Sequence, residues 1–392
     1  MIPAATPRVV LHQTPLAAFH ARHGSHPVPF AGWEMPLYYT SILAEHDAVR
    51  QSVGLFDVSH MGILSLSGGH AAELLGRRTT ADVGKLAPGQ VRYTFLLETA
   101  GGIVDDLLVS RLDDGTDLSR EYLAVPNAAR ADEVEEILRQ HRLPDTKIVR
   151  WNPKTALLAV QGPQSREVLE RTLGWDLSGL AYYHTAWFPR ATGAPDLRGR
   201  LGLSLAEGLG EFLLVSRTGY TGELGYEVLL RAEEADAWAE RLVAAGAVPC
   251  GLAARDMLRL EQGFLLSGQE FHRDHTPLEA GQERFVDFGH EFVGREALEK
   301  QRAEGPALRL VGLEVVQEDA IPRHGTPVRV GETALGETTS GGLSPSLHHG
   351  IALAYLPREH AVLGSDVTVS IRGRDVPARV VALPFRSSPK KS

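Results

Sequence analysis

The chain has 392 residues, 43% hydrophobic and 23% charged, which is enough for a large buried core and two or three domains. A formal net charge of −9, with no basic cluster interleaved with aromatics, gives no field for DNA or RNA and excludes nucleic-acid partners. The single cysteine, Cys250, excludes an internal disulfide and a cluster of thiolate ligands, and no apolar run reaches about 18 residues. Residues 1–12 resemble no export or organelle presequence, so the expectation is a cytoplasmic protein without a membrane partner.

In chain order, Thr14-Pro15 is expected to cap a first helix, with Pro15 preset in its first turn. An aromatic loop follows over Phe30–Tyr39, then a second helix that Ser41 starts and Gly54 closes. Strand patterns occur at 62–67, 92–97, 106–112, 122–125, 156–161 and 212–217, and helical patterns at 70–78, 130–141, 164–173 and 232–245. No parallel βαβ fingerprint accompanies them, which predicts an α+β body with antiparallel sheets. Past a linker at Gln301–Pro306, short alternating runs recur at 308–314, 328–330, 335–338, 350–355, 366–371 and 376–382 between Gly and Pro turns, and predict a small all-β barrel or sandwich.

The segment Gly101-Gly102-Ile103-Val104-Asp105-Asp106-Leu107-Leu108-Val109 sets two adjacent carboxylates between a glycine turn and an apolar strand. Because side chains alternate faces along a strand, both cannot reach solvent if the sheet is covered on both sides. A buried aspartate is costly unless it is paired or used. Two readings stay open for the pair alone: a turn-closing acid beside a structural one, or a functional carboxylate. His272, Asp274 and His275 lie in a polar loop without a second matching pair, and His348-His349 has the same solvent-exposed reading, so no metal is expected. There is no G-x-G-x-x-G, Walker loop or G-x-S-x-G.

Further motifs stand in order along the chain: Phe30-Ala31-Gly32-Trp33-Glu34-Met35-Pro36, Phe56-Asp57-Val58-Ser59-His60-Met61-Gly62, Arg92-Tyr93, Asn127-Ala128, Gln161-Gly162-Pro163, Ser216 to Glu223, Gly251 to Asp256, and Gly268-Gln269-Glu270. Taken in this order from about Thr14 to Phe385, they closely resemble the T protein family of the glycine cleavage system, the tetrahydrofolate-dependent aminomethyltransferases. The resemblance implies two intertwined α+β lobes, one ferredoxin-like, forming a folate-binding body over residues 8–300. It further implies a third lobe, the C-terminal β-barrel, over 306–386, and a central channel for folate.

What the resemblance implies for the site is specific. Asp106 matches the aspartate nearest the reacting part of folate, with Asp105 as runner-up, and Arg255 matches an arginine beside it; these two carry the catalytic role. Glu227 matches the acid that grips the pterin N–H pair, a carboxylate being suited to accept two donors together. Tyr220 is expected to pack beside the ring, on a segment over 219–226 whose residue types suit a tight hairpin with close backbone approach. Tyr93 and Asn127 match pocket-lining positions, Tyr183 is a further wall candidate, and Arg386 a candidate for the folate tail. From the residues alone, Glu227 as an exposed strand residue, Tyr220 as a turn aromatic and Arg255-Asp256 as an exposed helix pair remain open.

The implied activity takes the aminomethyl group from the dihydrolipoyl arm of a lipoylated H protein, passes its methylene to tetrahydrofolate as co-substrate and releases ammonia. Such carriers are acidic around the lipoyl group, which implies a local basic patch near the channel mouth. Ser110 and Phe264 stand where relatives often carry tyrosine, and Glu98 where asparagine is common. Two related classes fit less well. Folate-binding proteins of iron-sulphur cluster assembly place a cysteine before G-Q-E, where this chain has Leu266-Ser267; the folate modules of sarcosine and dimethylglycine dehydrogenases follow a flavin domain, whereas this sequence begins at the module.

Overall fold

The chain starts one sheet, leaves it to build another, and returns. In the computed structural model, which describes residues 10–112, 120–190, 202–317 and 319–387, the strand Gly54–Asp57 belongs to a six-stranded sheet whose next member in sequence is Thr155–Gln161. Between them lies a complete five-stranded antiparallel sheet in the order Val91–Leu97, Ile103–Arg111, Glu121–Pro126, Leu64–Ser67, Lys147–Arg150. With the helices Ala71–Arg78 and Ala131–Gln140 this is the expected ferredoxin-like β-α-β-β-α-β path, and Val91–Leu97 is an added edge strand. The expected domain start at residue 8 lies outside the described residues.

The six-stranded sheet follows a related path. Thr155–Gln161, the helix Ser165–Leu173, Phe212–Ser216, Gly225–Arg231, the helix Ala235–Ala244 and Val248–Pro249 repeat the same succession. Gly54–Asp57 is wedged between Thr155–Gln161 and Val248–Pro249, and Thr185–Pro189 is added at the far edge. The intertwining of the lobes is therefore one strand donated across a chain insertion. Each sheet has its own helix-covered core, and a third apolar cluster contains Phe56, Val58 and Leu229 from one sheet region with Ile63 and Leu123 from the other. Burial on both faces explains why Thr155–Gln161 reads as a continuous apolar run and not an alternating one.

The C-terminal six strands close into a barrel, with Leu308–Val315 pairing both His349–Pro357 and Arg374–Val381. The helix Leu252–Glu261 joins barrel to body through charges that are buried and matched. Arg259 pairs with Glu270 at 2.7 Å and donates to Ser340 at 2.6 Å, while Glu261 pairs with Arg50 at 2.5 Å and accepts from Ser344 at 2.7 Å.

Four expectations need correction. Phe30–Tyr39 is not a loop: His26–Phe30 and Trp33–Tyr38 form a hairpin around Ala31 and Gly32, both at positive φ. Its prolines disguise it, because proline inside a run argues against a central strand but is tolerated at an edge. Gly54 opens a strand, where a Cβ would lie 2.4 Å from Val49 Cγ2, and the preceding helix ends at Gln51. Thr14 does not cap the first helix, which spans Ala17–Arg22; its hydroxyl instead donates to Asp57 at 2.5 Å. Gln301–Glu304 is the last turn of a helix, Arg295–Glu304, so the connection to the barrel is only 305–307; the polar composition hides a run of strong helix formers.

Candidate functional site

A channel of about 1670 Å³ is walled by both sheets, the N-terminal hairpin and the barrel. Typical small-molecule pockets occupy about 300–1,000 Å³, so there is room for more than one reactant. No group of three or more His, Cys, Asp and Glu side chains among the described residues is placed to hold a metal.

The two aspartates sit where the strand Ile103–Arg111 is irregular. Leu96 faces Asp105 and Leu97 faces Ile103, which leaves Val104 as the extra residue of a bulge. Bulges re-aim neighbouring side chains, and both carboxylates are buried. One side chain ties them together: Asn127, one residue beyond the Leu107–Pro126 pair, donates from Nδ2 to Asp105 Oδ1 at 2.8 Å and to Asp106 Oδ1 at 2.5 Å. Its backbone N–H donates to Asp105 Oδ2 at 2.9 Å. Asp106 Oδ2 accepts from the Tyr93 hydroxyl at 2.5 Å, Tyr93 being its diagonal neighbour across the strand pair.

No described cation lies within ion-pair distance of either carboxylate. Burial therefore dominates their titration. It pushes Asp106 up to about 6, with the Tyr93 and Asn127 hydrogen bonds pulling back, and it raises Asp105 well above the usual carboxylate range, reinforced by the charge of Asp106. A carboxyl near 6 is largely ionised at neutral pH, so Asp106 is an acceptor there, more basic than a free aspartate.

Across the channel, Glu227 lies on the strand Gly225–Arg231 and accepts a hydrogen bond from the Thr218 hydroxyl. Tyr220 stacks on Phe264 at 5.6 Å and 28°, and the Arg255 guanidinium sits 4.8 Å from the Tyr220 ring centre. Arg255 comes from the helix Leu252–Glu261 and is not an exposed pair with Asp256, which bonds Arg259 instead. Burial lowers its tendency to hold a proton, and the Glu227 charge opposes that. Tyr183 lines the same channel at φ +57°, in ring contact with Tyr182 at 4.7 Å.

Seven of the eight expected site residues thus line one channel: Tyr93, Asp106, Asn127, Tyr183, Tyr220, Glu227 and Arg255. Arg386 is not among its lining residues, and its Nη1 bonds Glu223 Oε1 at 2.8 Å. The connection over 217–224 is longer than a tight hairpin, and Gly219 within it and Gly225 just after it accommodate the Gln161 side chain: a Cβ there would lie 2.0 or 2.2 Å from Gln161 Oε1. Ser110 and Phe264 are channel residues, while Glu98 lies outside and pairs with Arg273. Sequence reading gave no role to His60, Ser267, Arg284 and Phe285, which also line the channel. For His60 the signal was its motif, quoted and left unused; Arg284 and Phe285 carry none.

Comparison with known proteins adds the following. Residues 16–202 and 206–290 match the GCVT N-terminal domain, and residues 309–386 match the glycine cleavage T-protein C-terminal barrel domain. The chain is 40% identical to an aminomethyltransferase of Symbiobacterium thermophilum, covering 97% of this chain and 99% of that one, and 43% identical to an aminomethyltransferase of Rubrobacter xylanophilus, covering 97% and 96%. It is similar in structure to the glycine cleavage system aminomethyltransferase T from Bartonella henselae, with a TM-score of 0.85 and 31% identity over 97% of this chain and 99% of that one.

The hydrogen bond from Tyr93 stabilises the ionised form of Asp106, so its removal in Tyr93→Phe should raise the Asp106 titration. A bond to a charged group is worth about 1.5–3 kcal/mol, which at about 1.4 kcal/mol per pH unit corresponds to about one to two units upward. Carboxyl ¹³C shifts of aspartate-labelled protein, titrated by NMR, measure this directly; an unmoved titration would mean that the Tyr93 bond is not made in solution.

Proposed function

Since the chain belongs to the glycine cleavage T-protein family of aminomethyltransferases, we propose that its channel brings tetrahydrofolate, the family's one-carbon acceptor, against the aminomethyl group of a lipoylated H protein at Asp106. The observation that carries this placement is the buried pair Asp105–Asp106, held by Asn127 without a cation, in a channel with room for both reactants.

In this reading Glu227 grips the neighbouring N–H donors of the pterin, with Thr218 fixing its carboxylate. Tyr220, Tyr93 and Tyr183 pack on the ring, and Arg255 balances the Glu227 charge. Two folate nitrogens each gain a bond to the methylene carbon and each give up a proton, while the carbon–nitrogen bond breaks to release ammonia and the carbon–sulphur bond breaks to leave the carrier arm as its thiol, the two protons ending on the departing amine and sulphur. Asp106 is the proton acceptor, since a carboxylate near 6 is ionised at neutral pH yet basic enough to take a proton. Asp105 and Asn127 hold it in place, Asn127 from the channel wall. We assign the helix Arg295–Glu304 as the end of the catalytic body, put the barrel from Leu308 onward, and place the reaction in the cytoplasm.

The carrier's approach has a candidate surface. Arg92, Arg284, Arg309 and Arg323 line the channel, are exposed, and form no ion pair with a described residue, although the protein as a whole is acidic. We assign them to meeting an acidic carrier and the carboxylates of the folate tail, the latter in place of Arg386.

Two substitutions separate the roles. Asp106→Asn should leave tetrahydrofolate affinity within about tenfold while turnover falls by roughly 10² or more, because shape is kept and the proton acceptor is lost. Glu227→Gln should weaken affinity by about 1.5–3 kcal/mol in calorimetric titration, since a charged acceptor of two donors becomes a neutral amide. Full turnover in the first variant would move proton transfer away from Asp106, and unchanged affinity in the second would put Glu227 outside the pterin contact.

Charge steering by the four arginines should also show in salt. Raising ionic strength from about 0.05 to 0.5 M shortens electrostatic range severalfold, so the KM for the aminomethylated carrier should rise, with a smaller change in tetrahydrofolate affinity. A constant carrier KM would make docking mainly apolar.

A further inference from the structure

The turn after the strand Gly54–Asp57 is tightly fixed. Asp57 Oδ1 accepts from the Ser59 N–H at 2.9 Å, and the Met61 N–H donates to the Val58 carbonyl at 3.1 Å. At Gly62 a Cβ would lie 2.7 Å from Pro126 Cγ and 2.8 Å from Ala131 Cβ, so only glycine lets the turn sit this close to the other sheet. The result is that His60 enters the channel wall at 4% exposure, with Phe30 edge-on at 5.6 Å and 83°.

This imidazole has no structural job that accounts for its polarity. Its Nδ1 is shut off from solvent and has no hydrogen-bond partner. Of the buried, unpartnered side-chain atoms among the described residues, two belong to channel-lining residues: His60 Nδ1 and Arg255 Nη1. They act on each other electrostatically. Burial pushes His60 down to about 4, and the Arg255 charge lowers it further against the opposing effect of Asp57. Buried polar groups are nearly always satisfied, by protein, water or ligand. Two such atoms facing one channel mark a contact that the protein does not complete by itself.

We propose that His60 is a substrate-contacting residue which, with Arg255, takes a neutral amide-type group of the ligand in the channel. The chemistry of the pair selects that class. Arg255 repels a cationic group, while its charge is already partly offset by Glu227, and a neutral imidazole adds no attraction for a carboxylate. An amide or lactam offers a carbonyl oxygen to the guanidinium and either a donor or an acceptor to Nδ1. Two sources carry such a group, the lactam edge of the pterin and the amide of the carrier arm, and the inference rests on the channel holding those two reactants.

The test uses three variants of the full-length protein. His60→Leu removes both nitrogens, His60→Asn restores an amide close to the Nδ1 position, and His60→Gln restores one close to Nε2. Tetrahydrofolate affinity is read by calorimetry, the carrier KM by steady-state kinetics, and folding by thermal melting. His60→Leu should weaken one of the two ligands by about tenfold, and His60→Asn should recover most of that loss where His60→Gln does not. Loss confined to tetrahydrofolate identifies the pterin lactam, and loss confined to the carrier identifies the arm amide. The inference is overturned if His60→Leu handles both ligands like the wild type, or if Asn and Gln behave alike with changes that follow the melting temperature. Failure of the wild type to bind tetrahydrofolate at all would strike the placement of the reactants, a separate outcome.

Discussion

Two carboxylates buried side by side with one amide between them are the constraint around which the rest of the body is arranged. Like charges in a water-poor setting repel and lose hydration together, so the pair is tolerable only with strong donors. Asn127 can supply those donors because Glu121–Pro126 ends one residue short of it, level with the dyad. The bulge at Val104 immediately precedes the pair, and the one Nδ2 reaches both Asp105 and Asp106. The cost of the dyad is thus met by local donors, and its chemistry follows from its burial: both carboxylates are more basic than free ones.

The opposite wall depends on a second buried electrostatic unit. Arg50 bonds the Thr221 carbonyl at 2.7 Å, Glu223 at 2.9 Å and Glu261 at 2.5 Å, which pins the 217–224 connection to the helix that carries Arg255. Glu261 in turn holds Ser344 and Ser346 of the barrel. Buried ion pairs of this kind add little net stability but are costly to break, because one partner is left charged and unpaired. They act as registration devices, setting Tyr220 and Glu227 at a fixed place relative to the barrel wall. Arg386 joins this unit through Glu223.

Much of the fold and site was legible in the sequence, for reasons that differ by element. Asp105-Asp106 in an apolar run after Gly-Gly could be read because burial of two charges is improbable without use, and the structure buries both. Barrel strands were legible because they alternate between a core and a wet face. The hairpin over 26–38 was hidden by its prolines, and the helix Arg295–Glu304 by its charge. The second ferredoxin-like path leaves no sequence repeat, because its two halves share only connectivity, and one strand is donated from before the insertion. The rim arginines were not legible as site residues, since nothing local distinguishes an exposed polar residue that meets a ligand from one that meets solvent, and His60 carried only its place in the Phe56–Gly62 motif.

The distribution of unpaired charge gives the channel a direction. Four exposed arginines from the body and the barrel stand on its wall without an ion-pair partner among the described residues, while the dyad, with no described cation in ion-pair distance, holds negative charge inside. Anionic groups are thereby favoured at the exposed wall and disfavoured beside Asp106, so a ligand with an anionic tail and a neutral reactive head is oriented before any specific contact forms. The same separation protects the chemistry: an arginine close to Asp106 would stabilise its ionised form, draw its titration down and weaken it as a base. Arg255 stands beside Tyr220 and Glu227, and no guanidinium is among the groups that shift Asp106, so positive charge in this wall does not reduce its basicity.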